Sequence, residues 1–267
     1  MDKLTLKRGG QVLAPSLLTV SNMACGFYAV LSAVRGEFVS AGTAIILGMA
    51  FDALDGRVAR LVHGESVFGV EFDSLADFLT FGVAPGIMMY AFILKDYGIW
   101  GVPMAFAYAM CAGLRLARFN AVAHQSGGSK THFSGLPSPG AAGFLASFVL
   151  LYQIVEEGRP AHTWKILMDY VPMLYGLAPA MTLAAGFLMI STIPYPAFKQ
   201  SSAVQPRSPK TLVGAMLALA TILIYPQCAL FVLFWSYTLA GPIGWIVRSA
   251  LAVVGISKRE VPVEPTR

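Results

Sequence analysis

The sequence has 267 residues, of which 56% are hydrophobic and only 12% are charged, and its formal net charge is +5. An ordinary soluble domain carries about 25% charged residues, so this composition excludes that class and indicates an integral membrane protein. The positive charge concentrates in the predicted cytoplasmic loops. The net positive charge is explained by these loops, and we expect no nucleic-acid partner.

Apolar stretches long enough to cross a bilayer, about 20 residues each, recur along the whole chain. They predict an all-α fold, a polytopic membrane helical bundle of about eight transmembrane helices. Only Tyr-Pro-Gln separates the last two, so Pro226 marks either a tight turn or a kink within one long segment. In chain order the predicted helices cover residues 15–34, 39–62, 66–94, 98–120, 136–155, 170–194, 211–226 and 227–250.

Lysine and arginine predict the orientation, because cytoplasmic loops carry an excess of both. With the N-terminus in the cytoplasm, fifteen of the 19 Lys and Arg residues fall on the cytoplasmic side, which favours an even number of spans. The helices after residue 170 carry few polar side chains and would serve packing or a homodimer interface. The predicted segments of this single membrane domain are a cytoplasmic N-terminal segment (1–14), catalytic transmembrane helices (15–155), further transmembrane helices (156–250) and a cytoplasmic tail (251–267).

Four aspartates lie where the second and third predicted helices meet the membrane surface. Asp52 and Asp55 share one face of the second helix, and Asp73 and Asp77 share one face of the third. The link near residues 62–66 is short, so the helices run antiparallel and the four carboxylates converge near the cytoplasmic interface. In a low-dielectric cleft these carboxylates would repel each other strongly, so they need protons or cations.

Carboxylate oxygens are ligands that Mg²⁺ or Mn²⁺ prefers. One ion would leave excess negative charge, so two divalent cations fit better, and paired ions are common in phosphoryl chemistry. Gly56 and Gly69 lie on the same faces as the aspartates, where a missing side chain lets a bulky ligand approach the backbone. Arg60 adds a guanidinium for a phosphate oxygen. The alternative, charges solvated at helix ends beside packing glycines, does not explain the whole set on two facing helices.

Eight residues in this region have a fixed order and spacing, Asp52-x2-Asp55-Gly56-x2-Ala59-Arg60-x8-Gly69-x3-Asp73-x3-Asp77. The pattern resembles the full signature of the CDP-alcohol phosphotransferase family. The resemblance implies an enzyme that cleaves a CDP-linked lipid or alcohol at its pyrophosphate, releases CMP and joins a second alcohol. It implies that the four aspartates bind two divalent ions and that Asp77 is also the general base. Gly56, Ala59 and Gly69 would make room for the nucleotide, and Arg60 would contact a phosphate.

A second, basic cluster is predicted on the same side of the membrane. Arg115 and Arg118 share one face of the fourth helix, Lys130 follows in the next loop, and Ser138 can cap the fifth helix. Three cations and the amides of a helix N-terminus suit an anion besides the pyrophosphate. That anion would be the carboxylate of serine, or the phosphate of glycerol phosphate or inositol phosphate. Alternatively, the two arginines are ordinary positive-inside anchors.

Flanking motifs resemble those of the bacterial phosphatidylserine synthases within this family, over about residues 15–200. This resemblance implies CDP-diacylglycerol and L-serine as substrates and a bacterial inner membrane as location. Arg115, Arg118, Lys130 and Ser138 would then bind serine. The motifs are LLTVSNMACGF at 17–27, GLRLARFN at 113–120, FSGLPSPGAA at 133–142 and STIPYPAFK at 191–199.

Some alternatives stay open. Thr19 and Asn22 on the first helix either border the head group of CDP-diacylglycerol or make hydrogen bonds in helix packing. The acceptor alcohol could instead be glycerol 3-phosphate, inositol phosphate or choline. Intramembrane carboxylates also mark ion pathways, so a divalent-cation transporter is a rival from another class, and a structural scaffold is a third. Two metals and a base favour direct displacement over a covalent intermediate.

Overall fold

The computed structural model describes residues 3–62, 67–125, 132–156, 173–196 and 225–253. Within these ranges the chain is a bundle of helices, which confirms the all-α membrane fold. A π-helical turn, Phe78–Val83, joins α3 to α4, and a 3-10 turn, Leu94–Trp100, joins α4 to α5. The helices are α1 (Lys3–Val34), α2 (Phe38–Val62), α3 (Val67–Asp77), α4 (Ala84–Phe92), α5 (Gly101–Gln125), α6 (Ser138–Glu156), α7 (Ala178–Ile190) and α8 (Pro226–Val253).

Six helical stretches in the described part of the chain are long and apolar enough to cross a membrane, and they match six of the eight predicted spans. Where the sixth span was predicted, the structure describes α7, an apolar helix of 13 residues. Residues 211–224, most of the seventh predicted span, lie outside the described residues, so the total of eight stays a prediction. The six stretches are Leu17–Val34, Phe38–Val58, Phe68–Phe92, Leu94–Val122, Ser138–Val155 and Pro226–Ala250.

Pro226 is the first residue of α8. Proline is well tolerated there, because the first helical residue needs no backbone N–H donor and the fixed φ suits a helix. Tyr225, directly before it, is not helical, so the described part of the chain has a helix boundary at Pro226. Residues 211–224 lie outside the described residues, so the choice between a turn and a kink stays open. The following helix runs through residue 253, slightly beyond the predicted end at 250.

A sharp turn reverses the chain between α1 and α2. Gly36 has a φ of 79°, its N–H donates to Ala33 and the N–H of Glu37 donates to Ser32. This pair of bonds is a Schellman motif, which satisfies the last carbonyls of a helix and requires a left-handed residue such as glycine. The short turn makes α2 run antiparallel to α1. It thereby brings the C-terminal half of α2 back beside Thr19 and Asn22.

The centre of the bundle is α6, since 72% of its membrane span is buried, against 17% for that of α8. Its sequence of glycine, alanine and small polar residues lets α2, α4, α7 and α8 approach closely. The outer helices expose large apolar side chains such as Phe27, Phe106 and Trp245. Such surfaces suit lipid as the surrounding solvent.

A pair of three-residue strands was not predicted. The strand β1 (His132–Ser134) pairs antiparallel with β2 (Pro194–Pro196), and Phe133 lies opposite Tyr195. Backbone bonds from Gly135 to Ile193 and from Leu136 to Leu188 extend this connection to the end of α7. The pairing fixes the segment that leads into α6, and so fixes where the N-terminus of α6 lies.

Candidate active site

The four aspartates of the signature lie between the C-terminal half of α2 and α3. Asp52, Asp73 and Asp77 come together, because each offers a carboxylate oxygen and these oxygens all lie within 4.8 Å of one another. All three side chains are partly buried. Asp55 stands outside this trio but is close enough to repel Asp52 and Asp73 electrostatically. The two helices therefore bring their acidic faces together, as their short link predicts.

The aspartate trio (Asp52, Asp73 and Asp77) fits a divalent metal ion. Oδ1 of Asp73 is buried, and among the described residues no donor bonds to it. Leaving a buried carboxylate oxygen without a partner costs free energy, and the neighbouring negative charges add repulsion. A cation between the three carboxylates would relieve both penalties. Oxygen-only donors of this kind suit Mg²⁺ or Mn²⁺.

Two polar residues of α1 hold the carboxylates from the opposite side. The Thr19 hydroxyl donates to Oδ2 of Asp55, and the Asn22 amide donates to Oδ1 of Asp77 over 3.1 Å. Thr19 and Asn22 are both buried. The structure shows the hydrogen bonds between helices that the sequence allowed, and a contact of either residue with the head group of CDP-diacylglycerol stays a prediction. These bonds link α1 to α2 and α3 at the acidic cleft.

The remaining members of the signature lie in the same two helices. Gly56 in α2 and Gly69 in α3 are partly buried. Ala59 and Arg60 belong to the last turns of α2, but their side chains lie outside what the structure describes. The predicted roles of Gly56, Ala59, Arg60 and Gly69 toward the nucleotide therefore stay predictions.

Arg115 and Arg118 lie close enough to repel each other electrostatically, and they donate to different helices. Nη1 of Arg115 donates to the Ser138 hydroxyl over 3.0 Å, at the first residue of α6. Nη1 of Arg118 donates to the carbonyl of Ile190 over 3.0 Å, at the C-terminal end of α7, where a cation favours the helix dipole. Lys130 lies outside the described residues. Of the predicted cations, Arg115 is the one seen at the N-terminus of α6.

Arg115 connects the basic region to the aspartates. Its guanidinium interacts electrostatically with Asp77. Its Nε is buried and has no hydrogen-bond acceptor in the described part of the chain. Ser138, which holds Nη1, is itself 1% exposed. Arg115 is thus an anchored cation beside Asp77 with a donor left over for an anion.

Tyr237 of α8 lies at the edge of the candidate site, where the sequence did not predict it. A Cβ atom built on Gly140 would lie 3.2 Å from Cε1 of Tyr237, so the ring covers the N-terminal turn of α6. Tyr237 also interacts electrostatically with Arg115. It lies in an apolar helix more than a hundred residues after Arg115, and no spacing pattern in the sequence could join the two.

Tyr195 of β2 fixes Tyr237 in place. The two rings have centroids 5.6 Å apart, and the Tyr195 hydroxyl donates to the Thr238 carbonyl over 3.0 Å. Burial raises the pKa of Tyr195 to about 12, so this hydroxyl stays protonated near neutral pH and remains a donor. The short β-pairing therefore ties α8 to the same end of α6 that holds Arg115.

Comparisons with known proteins agree with the aspartate signature. The family model described as CDP-alcohol phosphatidyltransferase matches residues 12–176. A CDP-diacylglycerol–serine O-phosphatidyltransferase of Helicobacter pylori is 32% identical, over 88% of this chain and 91% of the relative. One of Bacillus subtilis is 32% identical, over 71% of this chain and 93% of the relative. An archaetidylserine synthase of Methanothermobacter thermautotrophicus is 33% identical, over 69% of this chain and 70% of the relative. The chain belongs to the CDP-alcohol phosphatidyltransferase family, as its signature predicts.

Proposed function

We propose that this protein transfers the phosphatidyl group of CDP-diacylglycerol to the hydroxyl of L-serine, giving phosphatidylserine and CMP. The names of relatives that match most of the chain support this reaction. The observation that carries it is the position of Arg115, an anchored cation beside Asp77 at the edge of the acidic cleft. A metal cluster alone would serve any acceptor alcohol, whereas a nearby cation favours one that carries an anion.

Asp52, Asp73 and Asp77 would hold divalent cations, with Asp55 completing the set. We propose two ions, Mg²⁺ or Mn²⁺, because four carboxylates exceed the charge that one ion can balance. The chemistry that bound ions would supply is polarisation of the pyrophosphate and stabilisation of the leaving CMP. Gly56, Ala59 and Gly69 would leave room for the nucleotide, and Arg60 would contact a phosphate.

Asp77 would be the general base. Among the four aspartates it interacts with Arg115, so it lies on the side where the acceptor would bind. The serine hydroxyl oxygen attacks the phosphorus that carries diacylglycerol, and the bond from that phosphorus to the CMP oxygen breaks. The hydroxyl proton passes to the Asp77 carboxylate. Asn22 holds Oδ1 of that carboxylate, which orients the group toward the acceptor.

The acceptor site would lie at the N-terminus of α6. Nε of Arg115 would donate to the serine carboxylate, in a bond between charged partners that is stronger than a neutral one. Ser138 fixes the guanidinium, and the Tyr237 hydroxyl would supply a second donor from α8. Arg118 and Lys130 would add positive potential nearby. The same cations would suit glycerol 3-phosphate or inositol phosphate, and the acceptor must therefore be tested directly.

We also propose that both termini lie in the cytoplasm of a bacterial inner membrane. The excess of lysine and arginine on one side supports this orientation. The acidic cleft lies beside Thr19 and Asn22, toward the N-terminal end of the membrane span Leu17–Val34, where a cytoplasmic nucleotide could reach it while the diacyl chains stay in lipid. A homodimer through the C-terminal helices stays a prediction.

The test is an acceptor comparison with purified protein in detergent. Separate reactions contain CDP-diacylglycerol, Mn²⁺ and labelled L-serine, glycerol 3-phosphate, inositol phosphate or choline. We expect label to enter the lipid phase from serine alone, with one CMP released for each serine incorporated. Incorporation from another alcohol in place of serine would contradict the acceptor site and leave the aspartate chemistry intact. CMP release with no acceptor incorporated would contradict the reaction itself.

A further inference from the structure

The π-helical turn Phe78–Val83 begins directly after Asp77 and carries a buried threonine. The Thr80 hydroxyl donates to the backbone carbonyl of Asn22 over 2.9 Å. The wide turn leaves carbonyls that need partners, and the Tyr108 hydroxyl donates to that of Phe81 over 3.0 Å. π-helical turns are rare and concentrate at functional sites, so this one calls for a function.

Two glycines make room for Thr80 between α1 and α2. A Cβ atom on Gly26 would overlap the Thr80 hydroxyl. A Cβ atom on Gly48 would lie 2.6 Å from Cγ2 of Thr80 and 3.0 Å from Oδ1 of Asn22. The contact with Thr80 is too short for a real Cβ atom and the contact with Asn22 is tight, so a larger residue at Gly48 would displace Thr80 and crowd Asn22. Thr80 is therefore enclosed by both helices, with its hydroxyl toward α1 and its methyl toward α2.

Asn22 is the point at which two contacts meet. Its carbonyl accepts the bond from Thr80, and its side-chain amide donates to Asp77. Thr80 follows Asp77 by three residues, so the two hydrogen bonds and this stretch of chain close a small ring. A shift of α1 against α3 would have to break one of the two bonds. The ring thus couples the packing of α1 to the direction of the Asp77 carboxylate.

We propose that Thr80 is a positioning residue, which fixes the Asp77 carboxylate for metal binding and proton transfer through Asn22. The inference rests on the metal site of the proposed function. Nothing in it depends on which alcohol is the acceptor. Thr80 itself lies in the buried core, enclosed by α1 and α2, and its effect passes through the Asn22 backbone.

The experiment measures Mn²⁺ binding to the purified full-length protein in lipid nanodiscs, without substrate, by electron paramagnetic resonance. Thr80→Val keeps the volume and removes the donor, and we expect about fivefold weaker Mn²⁺ binding, the effect of one lost hydrogen bond. Thr80→Ser keeps the donor and should bind Mn²⁺ as the wild type does. Thr182→Val is the matched control, because Thr182 is also buried and donates to a carbonyl, that of Ala178, within α7.

A double-mutant cycle tests whether Thr80 acts through Asn22. In an Asn22→Ala background, Thr80→Val should weaken Mn²⁺ binding no further. Three results would overturn the proposal. The losses of Mn²⁺ affinity from Thr80→Val and Asn22→Ala could be additive, or Thr80→Val could bind Mn²⁺ as tightly as the wild type. Thr80→Ser and Thr80→Val could also weaken Mn²⁺ binding equally. If Thr80→Val does not fold, Thr80→Ala removes the same donor without its bulk and must show the same weakening. Wild-type protein that binds Mn²⁺ no better than Asp77→Asn would instead contradict the metal site on which the inference rests.

Discussion

Asn22 on α1 donates a hydrogen bond of 3.1 Å to Asp77 on α3, so a buried amide of the first helix orients an aspartate of the third. A second aspartate contact from α1 is the bond from Thr19 to Asp55. Together they make α1 the support for an acidic cleft that α2 and α3 form. A carboxylate that must bind a metal ion and accept a proton needs a fixed direction, and neighbours that supply one are part of the catalytic design.

Replacing Asp77 with asparagine should abolish turnover and leave binding of CDP-diacylglycerol largely intact. The amide cannot accept the serine proton, and a positioned base contributes about a hundredfold or more to rate. The measurements are kcat for phosphatidylserine formation and the Kd for CDP-diacylglycerol. Full activity of Asp77→Asn would remove the assignment of the base.

Arg115→Ala should raise the KM for serine by roughly tenfold to a hundredfold, because a hydrogen bond to a charged group contributes about 1.5–3 kcal/mol. The KM for CDP-diacylglycerol should change much less. Arg118→Ala is the comparison, since Arg118 donates to the end of α7, and it should raise the serine KM less. Equal losses for both substrates in Arg115→Ala would mean that Arg115 serves the nucleotide lipid or the fold.

Tyr237→Phe should raise the KM for serine about three- to tenfold with little change in kcat, because it removes one donor and keeps the ring against Gly140. Tyr195→Phe makes the same chemical change in the neighbouring ring and removes a bond to the Thr238 carbonyl. It should lower thermal stability and leave the serine KM unchanged. A serine KM that responds to Tyr195→Phe and not to Tyr237→Phe would exclude α8 from the acceptor site.

Gly48→Ala should lower the free energy of unfolding by about 1–3 kcal/mol, the usual penalty for overpacking a close contact. The added Cβ would lie 2.6 Å from Cγ2 of Thr80. Gly244→Ala in α8 is the control, since a Cβ there would meet no atom within 4 Å in the described part of the chain. Thermal unfolding in detergent compares the two. A Gly48→Ala protein as stable as Gly244→Ala would mean that α1, α2 and the π-helical turn are not tightly packed.

The helices and the aspartate cleft could be predicted because their signals are local. Apolar stretches of bilayer length predicted the six spans that the structure describes. Aspartates three or four residues apart on two short-linked helices had to face each other. The π-helical turn after Asp77 could not be predicted, because the continuous apolar stretch over residues 66–94 predicts a single helix. A hydropathy pattern does not show which carbonyl accepts the hydrogen bond of each backbone N–H group.

The contacts that orient the site join distant parts of the chain, and no spacing rule reports them. Asn22 reaches Asp77, and Tyr237 approaches Arg115 from a helix after a long intervening segment. Arg118 interacts electrostatically with Arg115, as its position in the sequence suggested, but its hydrogen bond to the carbonyl of Ile190 at the end of α7 could not be predicted. Charge and spacing predicted which polar residues lie at the site, but the hydrogen-bond partners of these residues depend on tertiary packing.

The most direct test of the account is to titrate Mn²⁺ into metal-free protein and measure the transfer of labelled L-serine to CDP-diacylglycerol. We expect no transfer without metal, and full transfer once about two ions per chain have bound. Asp52→Asn and Asp73→Asn should lose metal binding and transfer together. Serine transfer that persists in metal-free protein, or metal binding that survives both substitutions, would contradict the central claim that these carboxylates form the catalytic metal centre.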